Sequence, residues 1–111
     1  MDWIERVNTL LDVFEIDRMP HRGWVESGIY MLATDQSSSP VYIGQSCDIS
    51  RRVKQHRYSR RFSFNEACTR SLSIPEELRY PVEMALIGLL RPKANGIWTR
   101  WGRSRYARDQ R

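Results

Sequence analysis

Gly28-Ile29-Tyr30 and Tyr42-Ile43-Gly44 each carry one phenol in a short apolar run, and Arg52 and His56 follow, four residues apart. A lone acid, Glu83, stands in an otherwise apolar helical segment, where an unpaired carboxylate is costly. This set suits phosphodiester hydrolysis. Attack on phosphorus adds negative charge to the non-bridging and departing oxygens, so a site needs cations, a group to deprotonate water, and usually a divalent metal. Arg52 is permanently charged, and its planar fork matches phosphate oxygens in pairs. Glu83 is the best metal candidate, because one carboxylate completed by waters and substrate phosphate is how magnesium is commonly held. The remaining acids are too scattered for a two-metal cage, so a single Mg2+ (or Mn2+) ion is expected. Taken singly, each residue also has a structural use: tyrosines pack in strands, Arg52 and His56 form a helix face, and Glu83 pairs with Arg79 at i,i+4. Their joint occurrence favours chemistry.

The elements that position them follow from apolar spacing and turn residues. The two tripeptides read as strands at about 28–34 and 40–44, joined through the turn-rich Asp35-Gln36-Ser37-Ser38-Ser39-Pro40 as a hairpin. Asp48 caps a helix to about Arg57 that turns Ile49 and Val53 inward and places Arg52 and His56 on another face. Upstream, Trp3, Ile4, Val7, Leu10, Leu11 and Phe14 recur at helical spacing, with Asp2 and Glu5 as an acidic capping box. Residues 16–27 form a linking loop, with Trp24 covering an edge, and 66–72 form a third short strand. A later helix starts at Ser73 or Ile74 before Pro75, and Pro81 must kink or divide it. Beyond Pro81, Val82, Ala85, Leu86, Leu89 and Leu90 make its buried stripe, and Arg91-Pro92 ends it. The fold expected is a small α/β (α+β) sandwich: a three-stranded antiparallel sheet flanked by helices, with an extra N-terminal helix.

Charge adds to the pattern. The 111 residues carry a formal net charge of +5, and 16 of the 18 basic residues are arginine. Arg51, Arg52, Lys54, Arg57, Arg60 and Arg61 fall within 51–61 with no acid among them, and the last stretch adds Arg100, Arg103, Arg105, Arg108 and Arg111. A GC-rich genome accounts equally well for the preference for arginine, but not for its clustering. Clustered cations with interleaved Trp98, Trp101 and Tyr106 are the footprint of a nucleic-acid partner. Cys47 and Cys68 read as reduced thiols, and they form no zinc pattern with His21 and His56. No apolar run is long enough for a bilayer and no signal sequence opens the chain, so a cytoplasmic protein is expected.

The ordered set Gly28-Ile29-Tyr30, Tyr42-Ile43-Gly44, Gln45-Ser46, Arg52, His56, Glu83, Pro92 and Asn95 resembles the GIY-YIG nuclease family over residues 28 to about 95. The resemblance implies Tyr30 as candidate general base, with Tyr42 and His56 orienting or relaying the proton. A phenol is a poor base near neutral pH, so Arg52 and the metal are expected to lower its pKa. Asn95 is expected to hold the site in place by hydrogen bonds. The organisation is then an N-terminal helix and linker (1–27), a nuclease core (28–96) and a basic aromatic tail (97–111).

A metal-dependent DNA endonuclease is the resulting expectation, nicking if monomeric and cutting both strands as a homodimer or in successive events. Arg51, Lys54, Arg57, Arg60, Arg61, Arg100, Arg103 and Arg105 are its candidate DNA contacts. With no separate recognition domain, a compact stand-alone nuclease of phage or mobile-element type is the expected setting, by analogy alone. Two rivals stand beside it: a nuclease for single-stranded or branched nucleic acid, and a DNA-binding module without catalysis. The latter has no use for Glu83.

Overall fold

The computed structural model describes residues 2–16, 24–35 and 38–97. Helix α1 (Trp3–Val13) precedes strands β1 (Gly28–Leu32) and β2 (Tyr42–Ser46), helix α2 (Ile49–Ser59), strand β3 (Arg70–Leu72), and helices α3 (Glu76–Leu90) and α4 (Lys93–Ile97). The strands form one antiparallel sheet in the order β2-β1-β3, so β1, which carries Tyr30, lies in the middle. The expected α+β fold, with its three-stranded sheet and N-terminal helix, is the one observed.

Alternation along the strands creates two cores. Ile29, Met31, Ile43 and Leu72 point to one face and pack with Val7 and Leu11 of α1 and Val82, Leu86 and Leu90 of α3. Tyr30 and Leu32 point to the other, against Ile49 and Val53 of α2, with Trp24, Val25, Tyr42, Phe62 and Phe64 around them. The sheet is a partition, helices α1 and α3 lying on one side and α2 on the other. No helix among the described residues is long and apolar enough to cross a membrane.

Local signals set most boundaries. The Asp2 carboxylate accepts the Glu5 N–H at 2.9 Å and caps α1, and Asp48 does the same for α2 through the Arg51 N–H at 3.2 Å. β1 ends at Leu32, short of the expected Thr34, because the Ala33 carbonyl leaves the ladder to accept the Asn65 N–H at 2.7 Å. β2 runs two residues further along than expected, pairing Tyr42 with Leu32 and Ser46 with Gly28. The segment read as one strand over 66–72 divides into a 3-10 turn at Glu66–Cys68, capped by Asn65, and the short β3.

Pro81 does not divide α3, which is one continuous helix. The helix tolerates the lost backbone bond because Pro81 and Glu77, whose carbonyl loses its partner, both lie on the solvent side. Pro75 occupies the N-cap rather than the first turn, so α3 starts slightly later than its proline signal implies. Beyond Arg91-Pro92, where the helical pattern ends, the chain makes the additional helix α4.

Candidate active site

Tyr30 is placed by backbone geometry. In the β1–β2 register it stands across from Gly44, and its ring lies over that glycine: a Cβ on Gly44 would sit 2.6 Å from the phenol oxygen and 2.7 Å from Cζ. Gly44 is therefore the seat of Tyr30. Gly28 has a different reason, a φ of +143° and a Leu72 carbonyl 1.9 Å from where a Cβ would be. The glycines at the two ends of the tyrosine blocks thus serve close packing, one of a side chain and one of β1 against β3.

Across the second core, His56 shares the inward face of α2 with Ile49 and Val53, not a separate face with Arg52 as the four-residue spacing implied, while Arg52 is half-buried. His56 Nε2 lies 2.8 Å from the Tyr30 hydroxyl, with the phenol 1% and the imidazole 8% exposed. Tyr42 packs on both, its ring centroid 4.6 Å from His56 and 6.1 Å from Tyr30, and Phe62 stacks on Tyr42 at 5.3 Å. These rings form an aromatic box around one short polar contact.

The box decides the electrostatics of Tyr30. Burial pushes the phenol well above its ordinary value, and Tyr42 adds to the rise. The charge of Arg52 and its hydrogen bond to the phenol pull the other way without winning, and Glu83 raises it further. Arg52 acts in the direction expected of it, and in the protein alone desolvation is the larger effect. Tyr30 is a neutral phenol at physiological pH. Arg52 also donates to the Gln55 side chain at 3.0 Å, which steadies the guanidinium.

Glu83 approaches from α3 and is only 3% exposed. Its Oε1 accepts the Gln45 side-chain amide at 2.8 Å. The i,i+4 partner considered from the sequence, Arg79, instead donates to the Ile74 carbonyl at 3.0 Å and the Ser27 hydroxyl at 3.1 Å, joining α3 to the start of β1. Among the described residues, no group of three or more His, Cys, Asp and Glu side chains is gathered as a metal cage. The donor chemistry at Glu83 does fit a magnesium or manganese ion of the kind completed by water and phosphate: a hard carboxylate oxygen oriented by a neutral amide.

Asn95 holds the edge of this site. Its Oδ1 accepts the Ile43 N–H at 2.8 Å and its Nδ2 donates to the Ile43 carbonyl at 3.0 Å, a two-point clamp on the outer edge of β2. The Ala94 N–H adds a bond to the Val41 carbonyl at 2.8 Å. Helix α4 thus covers the edge strand between Tyr42 and Gly44 and satisfies backbone groups that the sheet leaves open. The hydrogen bonds expected of Asn95 are made to the backbone of Ile43.

The candidate DNA contacts Arg51, Lys54, Arg57, Arg60 and Arg61 are all exposed on or just after α2, with Arg57 paired to Glu66. Arg100, Arg103 and Arg105, with the tail aromatics, lie outside the described residues. Sequence reasoning gave Gln45 no role of its own and did not draw Phe62 into the site. Adjacency to Gly44 flagged the first; the alternating Phe62-Ser63-Phe64 after a basic helix end was a faint signal for the second. The chain matches no family model, no curated protein and no solved structure.

Proposed function

We propose that this chain is a metal-dependent DNA endonuclease of GIY-YIG type, hydrolysing phosphodiester bonds. The observation that carries the reading is the buried hydrogen bond between Tyr30 and His56, with Arg52 in reach of the same phenol. A buried tyrosine bonded to a buried histidine is a path for one proton, and an adjacent guanidinium is a seat for a phosphate oxygen.

The raised pKa of Tyr30 constrains how that path works. Burial disfavours a phenolate in the protein alone, so in this reading the proton moves through Tyr30 rather than onto a standing anion. As the phenol oxygen takes a proton from the attacking water, its own proton passes to His56 Nε2, which must be neutral to receive it. Tyr42 and Phe62 exclude water from that transfer and hold the imidazole in line. Arg52 binds the non-bridging oxygens as their charge grows. Glu83, held by Gln45, would bind one divalent ion, which supplies charge neutralisation at the phosphate and the departing oxygen.

One such site cuts one strand, so a monomer nicks and a dimer or two successive events give a double-strand break. The exposed cations of α2 provide the sequence-independent attraction to phosphate, with a steep loss of binding as salt rises. Incubation of the purified protein with supercoiled plasmid tests the proposal. Open circles that form with magnesium and vanish with chelator are the expected result; a plasmid and a panel of other nucleic acids all left intact would return the chain to a binding module.

A further inference from the structure

The outer face of α2 carries a feature that the hydrolytic reading does not use. Tyr58 is 88% exposed, the most open of the large hydrophobic side chains among the described residues. Lys54 lies one turn before it, and Arg57 and Arg60 flank it, the four together lining an open depression of about 500 Å³. Arg60 is brought there by the left-handed C-cap that ends the helix, with φ of 50°. Among the described residues, the side chains of Tyr58, Lys54 and Arg60 make no hydrogen bond or ion pair, while that of Arg57 is paired with Glu66. An exposed phenol ring ringed by cations is poorly placed for a protein core and well placed for a ligand with a flat face and negative charge.

We infer that this depression binds an unpaired stretch of nucleic acid, one base stacking on Tyr58 while Lys54 and Arg60 hold the adjoining phosphates. A duplex keeps its bases stacked on one another and offers no free face to a surface tyrosine, whereas a single strand does. At 100° per residue, Tyr58 and His56 point to opposite sides of α2. The stacked base therefore lies about one helix diameter, roughly 10–12 Å, from the hydrolytic centre. The scissile phosphate is not bound here; the unpaired strand beside it is. This names the substrate class of the proposed nuclease as DNA with a single-stranded or branched segment next to the cut, and it rests on the nuclease reading only for the cutting, not for the binding.

The test is binding in the presence of chelator, which separates it from catalysis. Fluorescence anisotropy would follow a labelled oligothymidylate and a labelled duplex of equal length, with wild type, Tyr58→Ala, Tyr58→Phe and Lys54→Ala/Arg60→Ala. Tyr58→Ala should weaken single-strand binding about tenfold and leave duplex binding within about twofold, while Tyr58→Phe keeps single-strand affinity. The double cation variant should weaken both ligands and flatten the salt dependence. A 2-aminopurine strand should be quenched by wild type and Tyr58→Phe but not by Tyr58→Ala. Wild-type affinity in Tyr58→Ala, or equal losses for strand and duplex, overturns the inference even if the protein cuts plasmid. Tyr58-dependent stacking in a protein that cuts nothing leaves the inference standing and removes the nuclease.

Discussion

Gly44 and Tyr30 occupy the same space: where any other residue would carry a Cβ, the protein has the phenol. The glycine that closes the second tyrosine block thus positions the catalytic candidate of the first. Gly44→Ala should push Tyr30 away from His56 and cost about 1–3 kcal/mol of stability through overpacking. The cleavage rate should fall about a hundredfold or more as the proton path opens. Urea unfolding and plasmid cleavage measured on the same preparation check both effects.

Burial of Tyr30 has a consequence at high pH. Because its folded pKa is raised, the stability linked to this group is fully present below the ordinary phenol value near 10 and is lost as pH rises toward the folded value. Wild type should lose up to roughly 1.4 kcal/mol per pH unit above that point from this one group. Tyr30→Phe, which has nothing to ionise, should lack that part of the slope. Denaturant melts of the two proteins at neutral and alkaline pH measure the difference, and parallel curves would contradict the buried neutral phenol.

Asn95 should matter more for stability than for chemistry. Asn95→Ala leaves the buried Ile43 N–H and carbonyl without partners on the β2 edge, a cost of about 1–3 kcal/mol. Asn95→Asp keeps the acceptor for the Ile43 N–H but sets a carboxylate oxygen against the Ile43 carbonyl in a buried position, so it should also destabilise. Thermal melts rank the three proteins.

The Gln45 side-chain amide donates a hydrogen bond to Glu83 and so helps to orient its carboxylate. Removing it in Gln45→Ala should raise the magnesium concentration needed for half-maximal cleavage by about tenfold or more, with a smaller change in the rate at saturating metal. An unchanged magnesium titration would separate Gln45 from the metal. Gln45→Ala at saturating magnesium also guards against misfolding as the cause.

Strands β1 and β2 and helices α1 and α2 were legible because each carries a hydrophobic period with a cap or turn signal, α3 through its apolar stripe beyond Pro81, and β3 only as the end of a longer segment that divides. Helix α4 was not: its five residues, Lys93–Ile97, are too few to show a period, and it exists because the β2 edge needs partners. Nor does Pro81 divide α3, since a proline signal does not say whether the lost bond faces water. Residue types and order singled out Tyr30, Tyr42, Arg52, His56, Glu83 and Asn95 as candidates, and the fold brings Tyr42, His56 and Arg52 around the Tyr30 phenol. What the order of residues withheld was the environment. The sign of the Tyr30 shift depends on burial by Tyr42 and its neighbours, a three-dimensional quantity, while the role of Gly44 depends on which residue faces it across the hairpin.

The most direct test of the central claim compares wild type with Glu83→Gln in magnesium-dependent cleavage of supercoiled plasmid. The substitution keeps the size of the side chain and one acceptor oxygen for Gln45, and it removes the charge that would bind the ion. Wild type should convert supercoils to open circles, and Glu83→Gln should be slower by at least about a hundredfold with its fold intact by circular dichroism. Equal rates for the two proteins would contradict the assignment of the metal to Glu83 and, with it, the hydrolytic site described above.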